Sequence, residues 1–199
     1  MFMKFKVALF GHSYIRDLKS LGETDICVLG DTEFNLKYFS YPGATFSTFI
    51  NGQRHFEALR AFQPHYIIVI LGGNDLKVSV QLSDIYKECT EFYKILRETL
   101  PQTIIIASQI ENRFYKPDNR FGSPSAKTFD FLRRHFNHFL KNKSFKDFLL
   151  QVQGPNRLDK KENYRDAVHL SPLGLRKYFD IIRCTLSYAY RNKQPHRSF

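Results

Sequence analysis

The sequence predicts a three-layer α/β/α sandwich, with helices packed on both faces of a central, mostly parallel five-stranded sheet. Three observations carry that expectation. Apolar runs, unbroken over 66–71 and over 104–107 within the strand expected at 103–110, have the composition of strands buried from both sides. Segments with apolar residues three and four apart alternate with those runs, which places helices between parallel strands. Glycine and proline close strand after strand, so the connecting loops gather at the strands' carboxyl edge.

The first strand centres on Val7, Ala8, Leu9 and Phe10 and stops at Gly11, which permits a sharp turn. Tyr14, Ile15, Leu18 and Leu21 then follow helical spacing, so Ser13 stands at a strand-to-helix junction. Short strands are expected over 24–30 and 36–41, the second closed by Pro42-Gly43. Residues 44–62 read as helix on the stripe Phe46, Phe49, Ile50, Phe56, Leu59 and Phe62, with Asn51-Gly52 as the place where it would divide. Residues 65–71 form the central strand and run into Gly72-Gly73-Asn74-Asp75.

Helix 83–100, with Ser83 as its cap, presents Ile85, Cys89, Phe92, Leu96 and Leu100 on one face. Strand 103–110 is followed by a long loop over 111–125, and helix 127–140 by a last strand over 145–152. The polar stretch 153–167 leads to Asp166 and His169, after which Ser171-Pro172 opens a final helix to about Tyr190. A single domain over 1–190 and a basic, frayed tail over 191–199 complete the expected organisation.

With 199 residues and 43% apolar content, the chain can build a core of its own. Its charge balance is less ordinary. A net charge of +11 and a pI of about 9.6 favour acidic partners, nucleic acid or an anionic membrane surface. No arginine-rich block or nucleic-acid motif accompanies the charge, so a merely solvated basic surface is the alternative. Cys27, Cys89 and Cys184 are odd in number and far apart, which fits reduced thiols and neither a disulfide framework nor a metal site. His12, His55, His65, His135, His138 and His196 likewise lack metal-ligand spacing. No apolar run reaches membrane-spanning length and the N-terminus has no long apolar h-region, so an intracellular setting, cytoplasmic or nuclear, is expected.

The strand ends carry the chemistry. The first turn of a helix leaves amide hydrogens unpaired and bears partial positive charge, so an oxyanion forming beside Ser13 would be stabilised. An imidazole such as His169 titrates in the range a general base needs, and Asp166, three residues earlier, can fold back onto it. Gly43 leaves its backbone amide approachable, and Asn74 offers a side-chain amide. Singly, each residue reads as well as a cap, a turn or a loop tie. Jointly they fall on one edge of an open sheet, where such folds bind ligands.

In this order, Gly11-His12-Ser13, Gly43, Gly72-Gly73-Asn74-Asp75 and Asp166-Ala167-Val168-His169 resemble the sequence blocks of the SGNH, or GDSL-type, hydrolase superfamily. The resemblance spans nearly the whole chain and implies a flavodoxin-like SGNH hydrolase fold. It implies Ser13 as nucleophile, His169 as base and then acid, and Asp166 as the carboxylate that orients His169. The Ser13 amide, Gly43 and Asn74 would form the oxyanion hole, and no metal or organic cofactor is implied. Asp75 would hold the loop that presents Asn74. The chain departs from the pattern at His12, where the family usually carries aspartate.

Substrate residues are sought in the loop after the strand 103–110, where Arg113 and Tyr115, with Phe114, Arg120 and Phe121 nearby, form either an acyl-binding wall or a solvated loop. Two functions follow. One is a serine esterase that removes a short, acetyl-type acyl group, the chain having no obvious lid insertion. The other is a module that keeps the fold and holds nucleic acid or anionic lipid on its basic surface, a setting compatible with the SGNH-like domains of some LINE-type retrotransposons. A nucleotide binder is disfavoured, because phosphate-loop and dinucleotide glycine patterns are missing.

Overall fold

Six strands form the sheet in the computed structural model, which describes residues 3–21, 26–114, 125–142, 148–151 and 158–192. Their spatial order is β2 (Ile26–Leu29), β3 (Thr32–Ser40), β1 (Met3–Gly11), β4 (Tyr66–Ile70), β5 (Ile104–Ala107) and β6 (Phe148–Leu150). The sheet has six strands where five were expected: β3-β1-β4-β5-β6 are parallel, and β2, inside the strand expected over 24–30, joins at the edge antiparallel to β3. The physical reason is the connection: only the turn at Gly30-Asp31 separates β2 from β3, and strands joined so tightly pair antiparallel.

Side chains alternate between the two faces of the sheet. Val7, Leu9, Tyr66, Ile68 and Ile70 pack against Ile15 and Leu18 of α1 (Ser13–Lys19) and against Tyr178, Ile182 and Leu186 of α6 (Pro172–Asn192). Ala8, Phe10, Ile67 and Val69 face the other layer, built from α2 (Phe46–Ile50), α3 (Glu57–Phe62), α4 (Leu82–Thr99) and α5 (Ala126–Asn142). No residue from Val7 to Phe10 or in β4 is more than 3% exposed. Each of their larger apolar side chains contributes about 1.5–3 kcal/mol by leaving water.

Local departures from expectation have local causes. The segment 44–62 divides where foreseen: α2 ends at Ile50 with Asn51 as its C-cap, a 3-10 turn covers Gln53–Phe56, and α3 follows. α4 begins one residue early, with Gln81 rather than Ser83 at its N-cap and no side-chain bond there. β5 stops at Ala107 because Asn137 of α5 takes the main chain beyond it, accepting from Ile110 N–H at 2.9 Å and donating to its carbonyl at 3.0 Å. Ser171 caps α6 by accepting from Gly174 N–H at 3.2 Å. The helix runs to Asn192, so Arg191 is helical; the rest of the basic tail, 193–199, lies outside the described residues, as do most of the loop 111–125 and both ends of the strand expected over 145–152. Cys27, Cys89 and Cys184 are all free. No helix among the described residues is long and apolar enough to cross a membrane.

The register matters most at one point. β1 pairs Gly11 with Ser40 of β3 on one side and with Ile70 of β4 on the other, so three strand ends finish in one row. Gly11 has φ +151°, and a Cβ on it would lie 1.9 Å from the Ile70 carbonyl oxygen. That approach lets His12 N–H donate to Ile70 O at 3.2 Å, while Tyr41 N–H donates to Gly11 O at 2.8 Å. Gly11→Ala should therefore cost about 3 kcal/mol or more in denaturant unfolding, from strain and overpacking together. Gly30→Ala, on a turn with φ +60° and open space around it, should cost only about 1–2 kcal/mol; equal midpoints for the two variants would contradict the packed row.

Candidate active site

Ser13 is the first residue of α1, half-buried, directly beyond the row of strand ends. His12 caps the helix, its ring Nδ1 accepting from Tyr14 N–H at 3.5 Å. The ring thus fills the capping role for which an aspartate oxygen is the usual choice. To accept there the imidazole must be neutral with its hydrogen on Nε2. Burial, then the charges of Arg113 and His169, lower its pKa to about 3 and keep it so.

Asp166 and His169 lie on a loop that the fold pins beside this turn. A bridge between Tyr164 and Leu170 closes the loop, and Arg165 N–H donates to His169 O at 3.0 Å. Tyr14, the residue after Ser13, donates its hydroxyl hydrogen to Val168 O at 2.7 Å. Arg165 pairs with the buried Asp17 of α1 at 3.2 Å, and Phe114 N–H donates to Ala167 O at 2.7 Å. Within the loop, His169 Nδ1 and Asp166 Oδ2 are 2.9 Å apart, while Asp166 Oδ1 accepts from the Val168 and His169 amides, both at 2.7 Å. Burial tends to raise the Asp166 carboxyl, but these hydrogen bonds outweigh it and hold it below the usual carboxylate range. Asp166 thereby fixes the His169 tautomer, directing Nε2 outward as the basic nitrogen. Among the described residues no hydrogen bond joins the Ser13 hydroxyl to the His169 ring; such bonds are commonly long before substrate binds.

The donor side is assembled from β3 and β4. Gly43 sits exposed at φ +80° in the turn after β3, which Ala44 N–H closes by donating to Tyr41 O at 3.0 Å. Asn74 follows β4, and its Nδ2 donates to Ala44 O at 3.0 Å, so the Gly43 turn and Asn74 are fastened together. Asp75 holds the same pair of loops from beneath, its Oδ1 accepting from Phe46 N–H at 3.0 Å. Arg113 is 7% exposed and lies in the interior rather than on a rim; its Nη2 donates to Asn74 Oδ1 at 3.0 Å. With Oδ1 engaged by one donor and Nδ2 by one acceptor, the Asn74 amide orientation is settled, leaving its second N–H for a ligand. Tyr115 lies outside the described residues.

Ser13, Gly43, Asn74, Asp166 and His169 thus come from four distant segments and meet at one edge. Sequence reasoning missed the Tyr14 and Phe114 ties, for which neither residue gives a signal apart from its neighbours. It also missed the burial of Arg113, although Gly73, which gives that side chain room, is visible in the sequence.

No family model matches the sequence, and no curated protein does. Solved structures match it in shape. A carbohydrate esterase family 3 protein from Talaromyces cellulolyticus superposes with TM-score 0.64 at 13% identity, over 94% of this chain and 99% of that one. A GDSL-like lipase from Bacteroides thetaiotaomicron gives 0.59 at 15%, over 94% and 87%. This chain has the SGNH-hydrolase fold. An acetyl xylan esterase, AlAXEase, shares that fold at TM-score 0.58 and 16% identity, over 92% and 98%.

Burial pushes the Asp75 carboxyl up to about 7, against the lowering effect of the Phe46 amide. The native state therefore binds more protons than the unfolded chain between the ordinary value of 3.8 and about 7, and this group's contribution to stability falls as pH rises through that window. His12 acts in the opposite sense, adding stability as pH rises from about 3 to 6.5. Comparison with Asp75→Asn cancels the second effect: the unfolding free energy of the parent minus that of the variant should decline from pH 4 to 7 and level off above, as read by urea titrations at each pH.

Proposed function

We propose that the chain is a serine esterase that removes a short, acetyl-type acyl group from an oxygen ester. The observation that carries the reading is the Asp166–His169 pair at 2.9 Å, docked through Tyr14 onto the turn that holds Ser13. The acetyl preference draws on the esterase names among structures of the same fold, the acetyl xylan esterase foremost.

The steps follow from the residues. His169 Nε2 takes the proton of the Ser13 hydroxyl as Oγ adds to the ester carbonyl, and Asp166 stabilises the imidazolium that results. The negative oxygen of the tetrahedral intermediate lies against the Ser13 amide, the Gly43 amide and the second Asn74 N–H, with the positive end of α1 behind it. Imidazolium then protonates the departing alcohol. Water, deprotonated by the same ring, releases the acyl group and restores Ser13.

A second reading is favoured by a groove of about 500 Å3 at the opposite, amino edge of β4 and β5. Lys6, Arg60 and His65 line it with Gln63 and Gln102, and no lining residue is acidic. His65 Nδ1 accepts from Lys6 N–H at 2.9 Å, which leaves the ring hydrogen on Nε2 as a donor. This groove would hold phosphate groups of a nucleic acid or an anionic lipid without competing with the esterase.

Hydrolysis of p-nitrophenyl acetate and labelling by a fluorophosphonate test the first reading. Both should be lost in Ser13→Ala. His169→Ala should lower kcat by several orders of magnitude, and Asn74→Ala by about 10²–10³ with KM little changed. An unlabelled parent, or turnover that survives Ser13→Ala, would sink the esterase reading. For the second, binding of a labelled single-stranded oligonucleotide should weaken steeply with salt and be lost in Lys6→Glu/Arg60→Glu; binding only to phosphatidylserine vesicles would assign the groove to lipid.

A further inference from the structure

The substitution at position 12 and the buried arginine beneath Asn74 concern the same few ångströms. Arg113 enters from the segment after β5 and passes over the Phe129 ring, its guanidinium carbon 5.2 Å from the ring centroid. Its Nη2 would lie 2.6 Å from a Cβ at residue 73, so the guanidinium occupies space that only glycine leaves there. His12, Gly73 and Arg113 wall the same small cavity beside the helix start. From that cavity the guanidinium reaches Asn74 Oδ1, on the far side of the amide from the N–H that would meet an oxyanion.

We propose that Arg113 is a positioning residue for the oxyanion hole, and that an uncharged residue at position 12 is what keeps its guanidinium on Asn74. This deepens the esterase reading and rests on it. A cation donating to Oδ1 draws electron density along the amide toward oxygen, which makes the Nδ2 hydrogens stronger donors. It also fixes the amide against a flip that would present oxygen to the forming anion. The effect grows as negative charge develops on the substrate oxygen, so it acts on the transition state more than on bound substrate. The buried imidazole, held neutral by desolvation, then by Arg113 and by His169, offers the guanidinium no opposite charge. An aspartate at position 12 would. A carboxylate in that wall would form a charge-assisted pair with Arg113 and compete with its bond to Asn74.

The test uses two series in the full chain, assayed with p-nitrophenyl acetate and thermal melts. In the first, Arg113→Lys keeps a cation and one donor, whereas Arg113→Met keeps only bulk over Phe129. kcat should fall by roughly tenfold in the lysine variant and a hundredfold in the methionine variant, short of or equal to Asn74→Ala, with KM within about twofold of the parent. In the second, His12→Asp is compared with His12→Asn, since the two introduced side chains have the same shape and the same capping ability and differ in charge. kcat should be at least tenfold lower for His12→Asp than for His12→Asn, while the melting temperature of His12→Asp is equal or higher. Three results would overturn the proposal. Lysine and methionine variants of equal kcat, with losses that track melting temperature, would make Arg113 a core filler. A His12→Asp variant as active as His12→Asn would remove position 12 from the argument. A parent with no Ser13-dependent turnover would remove the esterase reading itself, and is told apart because every variant would then be equally silent.

Discussion

The contact on which the rest depends is the approach of Gly11 to the Ile70 carbonyl. It lets β1 finish level with β4, and through Tyr41 N–H it fixes where β3 gives way to the Pro42-Gly43 turn. With those three ends in register, the residues that follow each strand have no choice of neighbour. Ser13 starts a helix at the middle strand, and Asn74 reaches Ala44 across it. The loop of Asp166 and His169 is brought in from above by Tyr14. A single missing methyl group thus converts strand order, which is a property of the whole sheet, into distances between particular side chains.

Much of the fold was legible because burial on both faces leaves so plain a mark. Residues 7–10 of β1 and all of β4 are buried, whichever layer each one faces, and continuous apolar runs are what the sequence displays there. β2 was harder to place, because an edge strand that turns straight back into its neighbour is short and exposes Ile26 and Val28. Pattern registers that these residues are extended; it does not register that the strand runs the other way. The early end of β5 is likewise invisible in the run over 103–110, since it is set by Asn137, a polar residue on a helix that is distant in the chain.

The candidate site divides along the same line. Residues proposed for the site by type and order, such as Ser13, Asn74, Asp166 and His169, stand out in the sequence. Residues whose roles come from burial do not. Arg113 in an irregular loop reads as a solvated or substrate-facing cation, because arginine is rarely so buried. The cradle of Gly73, Asn74 and Phe129 helps make an interior position tolerable, by supplying an acceptor and a ring face. His12 reads as a lapse from the usual aspartate until the structure shows its ring accepting the same capping bond in neutral form.

These observations bear on where stability is given up. Asp75 has one oxygen on Phe46 N–H and the other without a partner among the described residues, an arrangement that a folded protein would ordinarily avoid. Its effect is to clamp the start of α2 to the residue after Asn74, and α2 begins only two residues beyond the Ala44 carbonyl that Asn74 itself holds. Removing the carboxylate could improve the core while loosening the amide that the proposed chemistry needs. A buried group that destabilises the fold above its own titration point, set beneath a donor that must not move, is what is expected when positional accuracy at a site outweighs the stability of the segment carrying it.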